Sequence, residues 1–132
     1  MTTLRKASVL LAHGSSDPQW LEPFAGVLAQ IREGLSNAGT RVELAYMELA
    51  EPSMEDQIRT LAAAGYNHID VLPLFFAAGR HLRKDVPLML AQLSDDLQQQ
   101  GLSVSIELHK PVGLEPEVAA AISRVVIRQL GE

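Results

Sequence analysis

The sequence predicts a doubly wound α/β domain: one four-stranded parallel sheet in the order 2-1-3-4, with helices on both faces. Two short, nearly continuous apolar runs, Ser8 to Ala12 and Ile69 to Phe76, read as strands buried on both sides. Two further segments, around Val42-Leu44-Tyr46 and Val104-Ile106-Leu108, alternate apolar with polar residues and so belong at half-exposed edges. Helical periodicity fills the gaps between all four, and parallel strands joined by helices wind right-handedly. Placing the apolar strands centrally sets strands 1 and 3 side by side, with their connections leaving in opposite directions. Ligands bind at such a switch point, outside the carboxyl ends of the strands.

The elements follow in order. After the first strand, His13-Gly14-Ser15-Ser16-Asp17-Pro18 has loop composition, and its serines are suited to cap the next helix. Phe24, Val27, Leu28, Ile31 and Leu35 recur in steps of three and four, which makes that helix amphipathic. Asn37-Ala38-Gly39 ends it, with glycine available for a left-handed cap. Ser53 and Asp56 form a capping-box pattern ahead of Ile58 and Leu61, and Gly65 closes the second helix. Pro73 cannot donate to a ladder and is expected at the end of the third strand. Asp85 is expected to cap a third helix that buries Val86, Leu90, Leu93 and Leu97. A last helix after Pro116 is expected to bury Val118, Ile122, Val125 and Val126.

Composition bounds the function. The chain has 132 residues, enough for a core without staples, and is read as a single domain over 1–132. A net charge of −5 argues against a general nucleic-acid partner. Zero cysteines exclude disulfides, thiolate metal sites and iron–sulfur clusters. No apolar run is long enough for a membrane span or a signal-peptide core, so a cytoplasmic setting without membrane partners is expected.

Motifs for nucleotides are missing: there is neither a Rossmann glycine fingerprint nor a P-loop, and no nucleophile elbow surrounds Ser15 or Ser16. His13, Glu48 and His81 follow three different strands onto one rim. A lone loop histidine is usually only hydrogen-bonded, but two imidazoles and a carboxylate converging suit Co²⁺, Ni²⁺, Fe²⁺ or Zn²⁺ and leave coordination positions open. Arg80, Arg83 and Lys84 flank His81 and either form a solvated face or hold an anionic ligand by its carboxylates. His68, at the opposite end of the sheet, is expected on the surface, and His109 is expected as a partly buried edge residue.

Three blocks resemble the CbiX/SirB family of class II chelatases. They are Leu11-Ala12-His13-Gly14-Ser15, Ala45 to Ser53, and Pro73 to His81 continued through Asp85-Val86-Pro87, with Lys110-Pro111-Val112-Gly113 as a weaker fourth. The resemblance implies a flavodoxin-like sheet and a sirohydrochlorin chelatase (a cobaltochelatase- or ferrochelatase-type lyase). Such an enzyme inserts a divalent metal into that tetrapyrrole on the way to cobalamin or siroheme-type products. Co²⁺ stands ahead of Fe²⁺ and Ni²⁺. The metal is the substrate, and no organic cofactor is implied. His13 and His81 become the metal-handling, proton-accepting pair and Glu48 their carboxylate partner. Ser15, Arg80, Arg83 and Lys84 are implied at the tetrapyrrole. The chain is similar to the short, single-unit members, which pair as homodimers. An arginine commonly follows the His-Gly-Ser block in the family, where this chain has Ser16.

Two rival readings differ in chemistry. A non-catalytic metal or tetrapyrrole carrier of the same fold would change the ligand's spectrum stoichiometrically, without turnover. A flavodoxin-like flavin or phosphate binder would need a phosphate-cradling loop that this sequence lacks.

Overall fold

The computed structural model describes residues 3–35 and 39–131. Its four strands are β1 (Lys6–Ala12), β2 (Arg41–Tyr46), β3 (His68–Pro73) and β4 (Ser105–Leu108). They form one parallel sheet in the order β2-β1-β3-β4, as the hydrophobic patterning requires. The helices are α1 (Pro18–Gly34), α2 (Met54–Ala63), α3 (Val86–Gln99) and α4 (Pro116–Leu130). A single π turn, His81–Asp85, precedes α3, and a 3₁₀ turn, Val112–Leu114, precedes α4.

One face of the sheet carries the core. Ala7, Val9 and Leu11 of β1 and Ile69 and Val71 of β3 pack against Ile58 and Leu61 of α2 and against Leu90, Leu93 and Leu97 of α3. The third helix buries the four residues expected of it. Ser53 caps α2 by accepting from the Asp56 amide at 3.1 Å, and Gly65 leaves it at φ +99°, a conformation open to glycine at little cost. Pro73 ends β3 opposite Leu11, and the Leu74 amide takes up the ladder by donating to the Leu11 carbonyl at 2.8 Å.

The other face departs from expectation. Leu10, Val42 and Tyr46 are buried there, and α1 is tied to β2 through Arg32, whose guanidinium donates to the Val42 carbonyl and pairs with Glu43. Yet α1 buries no residue fully, and Trp20 and Val27 are exposed. Helix α4 likewise buries none: Ile122, Val125 and Val126 are 38%, 41% and 44% exposed, and Val118 is half-buried. Among the described residues its main packing is against the neighbouring 3₁₀ turn, and most of its apolar stripe stays open to solvent. The helix period foretold the stripe but not what covers it.

Two local expectations change. The first helix is capped by Asp17, whose carboxylate accepts from the Gln19 amide at 2.9 Å, whereas Ser15 Oγ accepts from the Asp17 amide one turn earlier and Ser16 is exposed. A carboxylate two residues ahead of an unpaired helical amide displaces the weaker hydroxyl acceptor. Asp85 makes no cap hydrogen bond, because its side chain is engaged by His81. Of the expected α1 terminus, Asn37 and Ala38 lie outside the described residues, and Gly39 has φ +67°.

Candidate metal-handling site

The rim at the carboxyl ends of β1, β2 and β3 is built largely by backbone. The β1–β2 ladder does not stop at the last strand residues: the Met47 amide donates to the Ala12 carbonyl at 2.9 Å and the Glu48 amide to the His13 carbonyl at 3.1 Å. Gly14 closes this junction at φ +99°, and a Cβ on it would lie 1.8 Å from the Glu48 carbonyl oxygen. Only glycine permits that approach. The loop after β1 is thereby pressed onto the loop after β2, where Leu49 takes a left-handed φ of +62°.

The consequence is a short distance between side chains that are far apart in sequence: His13 Nε2 lies 3.4 Å from Glu48 Oε1. The Nδ1 atom of His13 faces the Gly14 carbonyl at 3.4 Å. The carbonyl and the Glu48 carboxylate both only accept, so the metal-free ring donates to one or both of them, and an ion between His13 and Glu48 takes the Nε2 lone pair with the proton on Nδ1. Two donors meeting a tetrahedral ion at bonds of ~2.0–2.1 Å stand roughly 3.3–3.4 Å apart. His13 and Glu48 already stand at that separation.

His81 occupies the first position of the π turn. Its Nδ1 lies 2.6 Å from Asp85 Oδ2, four residues on, so the imidazole donates to the carboxylate and Nε2 keeps its lone pair. A carboxylate behind a ligating histidine fixes the ring and raises its basicity. Buried Leu82 pins the turn against the core. A π turn within a helix start is uncommon and recurs at functional positions.

A cavity of ≈ 310 Å³ joins His13 to His81, lined by these two and by Met47, Phe75, Ala77, Gly79, Arg80 and Leu82; Glu48 stands beside His13 outside the lining. His13 and Phe75 stack obliquely across it, with ring centroids 6.3 Å apart. The floor is apolar and the rim carries imidazole, carboxylate and guanidinium. Such a surface accepts a flat apolar ring with polar edges. Arg80 borders the cavity, while Arg83 and Lys84 are exposed on the same turn outside its lining. Ser15 is half-buried behind the His13 loop, with its hydroxyl spent on the turn.

The structure therefore places His13 beside Glu48 and puts His81 on the same cavity. His109 lies elsewhere: its Nε2 donates to Asp70 Oδ1 at 2.9 Å. His68 is half-buried rather than on the surface, because its ring folds onto the same carboxylate at 3.2 Å. Asp70 loses solvation where it sits, but hydrogen bonds from these two imidazoles outweigh that loss and hold its carboxyl below the usual carboxylate range.

Sequence reasoning missed two contributors. Asp85 was recoverable from its i,i+4 spacing to His81. Gly113 stands in the fourth matching block, but its role was not legible there: a Cβ would sit 2.3 Å from the Phe76 Cα, and its amide donates to the Phe75 carbonyl at 2.8 Å, fastening the fourth loop to the exit of β3. That contact depends on tertiary approach alone.

The chain is similar to known proteins over most of its length. A sirohydrochlorin cobaltochelatase of Saccharolobus islandicus is 30% identical over 126 residues, covering 94% of this chain and 92% of its own length. The crystal structure of a putative cobalamin biosynthesis CbiX protein from Marinobacter aquaeolei superposes with a TM-score of 0.73 at 40% identity, over 95% of this chain and 97% of that one. The Bacillus subtilis subspecies spizizenii sirohydrochlorin chelatase SirB, in complex with cobalt, superposes with a TM-score of 0.78 at 25% identity. It matches 96% of this chain but only 51% of its own. The CbiX family model spans residues 7–129, from the first buried residue of β1 almost to the end of α4, and the chain belongs to the CbiX family.

Proposed function

We propose that this chain is a sirohydrochlorin chelatase that inserts a divalent metal, with Co²⁺ as first choice and Fe²⁺ or Ni²⁺ as alternatives, into the tetrapyrrole. The observation that carries this reading is that His13, whose Nε2 lies 3.4 Å from Glu48 Oε1, lines one cavity together with His81.

The chemistry suits the groups. Insertion removes two pyrrole protons and exchanges the metal's water for four ring nitrogens. With the proton on Nδ1, Nε2 of each histidine offers a lone pair, which serves equally as metal ligand or proton acceptor. Glu48 balances the charge of the arriving metal or accepts a proton. The three groups are exposed, and a site of so few protein ligands releases its ion readily to a macrocycle. Met47, Phe75, Ala77 and Leu82 offer the ring an apolar wall, and Arg80 stands where a peripheral carboxylate can be paired. Arg83 and Lys84, one turn outward, extend that positive edge. No organic cofactor takes part.

One unit supplies one wall of a cleft, and SirB is about twice the length that this chain matches. The chain therefore acts as a homodimer, its second wall supplied by a second copy, in a cytoplasmic setting. Among the described residues no helix is long and apolar enough to cross a membrane.

The deciding experiment mixes the protein with sirohydrochlorin and Co²⁺ and follows the absorption spectrum. Wild type accelerates insertion over the spontaneous rate. His13→Ala and His81→Ala each reduce turnover by on the order of 10²-fold or more, while changing stability by no more than ~0.5 kcal/mol because both side chains are exposed. A stoichiometric spectral change without turnover would replace the enzyme by a carrier, and full activity in folded His81→Ala would remove the site from this rim.

A further inference from the structure

The face of the sheet away from the main core carries four donor side chains that the chelatase rim does not use. His68 and Asp70 alternate along β3, and Glu107 and His109 alternate along and just beyond β4, so all four project to one side. Asp70 and Glu107 are direct cross-strand neighbours. Like charges directly opposite each other destabilise a sheet unless a positive group lies between them. Here the two imidazoles straddle both carboxylates. His68 Nε2 lies 3.2 Å from Asp70 Oδ1 and 3.9 Å from Glu107 Oε2, and His109 Nε2 lies 2.9 Å and 3.8 Å from the same two oxygens.

We propose that His68, Asp70 and Glu107, with His109 holding Asp70 in place, form a second divalent-metal site, selective for ions that favour imidazole and carboxylate, such as Co²⁺, Ni²⁺ and Zn²⁺. The geometry supports four-coordination. A tetrahedral ion with bonds of ~2.0–2.1 Å separates its ligands by roughly 3.3–3.4 Å; one ligand atom from each of His68, Asp70 and Glu107 lies within 4.8 Å of the other two, and solvent completes the set. Ions that prefer six or more oxygens find too few donors here. On binding, His68 moves its proton from Nε2 to Nδ1 or gives it to solvent and turns the Nε2 lone pair to the ion, while His109 keeps its hydrogen bond to Asp70. Two carboxylates then neutralise the divalent charge, which removes the cross-strand repulsion. The site is reachable, since the His109 and Glu107 side chains are 39% and 61% exposed, while His68 and Asp70 are held at 21% each. A purely structural histidine–aspartate network would need only one carboxylate; the second, set opposite the first, is what an ion explains.

This site is independent of the chelatase reading, and its test needs no turnover. The His13→Ala/His81→Ala double variant, which lacks both rim histidines, is titrated with Co²⁺ by calorimetry and by visible ligand-field absorption. One equivalent is expected, with the intense bands of a tetrahedral complex. Adding Glu107→Gln, a change at an exposed side chain, or His109→Ala is expected to weaken binding by about tenfold or more, with the far-ultraviolet circular dichroism unchanged. If His109→Ala does not fold, Glu107→Gln decides. The proposal is overturned if the double variant takes up no Co²⁺, or if Glu107→Gln binds as tightly as its parent.

Discussion

At the scale of single residues, the decisive feature of the rim is that each histidine has an oxygen acceptor at Nδ1, which leaves Nε2 for an ion or a proton. His13 turns Nδ1 to a backbone carbonyl and His81 gives Nδ1 to Asp85. Asp85→Asn keeps the shape but replaces the carboxylate with a weaker acceptor that can also present its amide group to Nδ1. Metal insertion is expected to fall ~10–100-fold, the usual cost of losing a group behind a ligand. The check is turnover alongside melting temperature, which should not move. Asp70 offers a second test, in protein freed of metal by chelation. Its folded-state carboxyl is held below the unfolded value, so the stability it contributes is fully present above ~pH 4 and is lost as pH falls through the lower folded value. Thermal unfolding of wild type and Asp70→Asn is expected to show a wild-type advantage at pH 5–7 that shrinks on acidification below ~pH 4. An advantage that grew down to pH 2 would contradict the sign. His13 and Glu48 were proposed from the chain because they stand at or just past the ends of β1 and β2, and His81 because its loop leaves β3 on the same edge. Asp85 was misplaced because an acidic residue before a proline-bearing helix start carries the same signature whether it caps the helix or holds a histidine.

At the scale of elements, strand order and the α2–α3 core followed from hydrophobic pattern, since a run without alternation has no solvent face to offer. The pattern failed where it says only that a helix has an apolar stripe. Val118, Ile122, Val125 and Val126 do share a face of α4, but the sheet of the same chain does not cover it. Covering by another copy would leave the same trace in sequence as covering by its own sheet. If α4 contributes to the homodimer, Ile122→Asp with Val126→Asp, one turn apart, is expected to convert a dimer to a monomer in sedimentation at micromolar concentration and to lower insertion with it. The same substitutions would leave the strands and the rim in place, because neither side chain belongs to the buried core. Sedimentation of the wild type as a monomer would end the dimer proposal outright.

At the scale of the whole molecule, four loops from four strands form one edge, and two glycines decide how tightly they fit. Gly14 seats the first loop on the second, and Gly113 seats the fourth on the exit of the third. Gly14→Ala meets both a left-handed φ and the Glu48 carbonyl, and is expected to cost on the order of 2–4 kcal/mol in urea unfolding. Such positions are invisible to pattern reading, because a glycine in a loop is ordinary until the backbone opposite it is known. The ladder that continues past β1 and β2 also has a kinetic meaning. Loop amides usually exchange their hydrogens with solvent quickly, but those of Met47 and Glu48 are donors in the same ladder as the central strand. In deuterium exchange they should be retained about as long as the amides of β2, and far longer than those of exposed turns. A metal arriving at His13 and Glu48 would then meet partners whose spacing was set when the sheet folded, and binding would cost little further ordering of that half of the site.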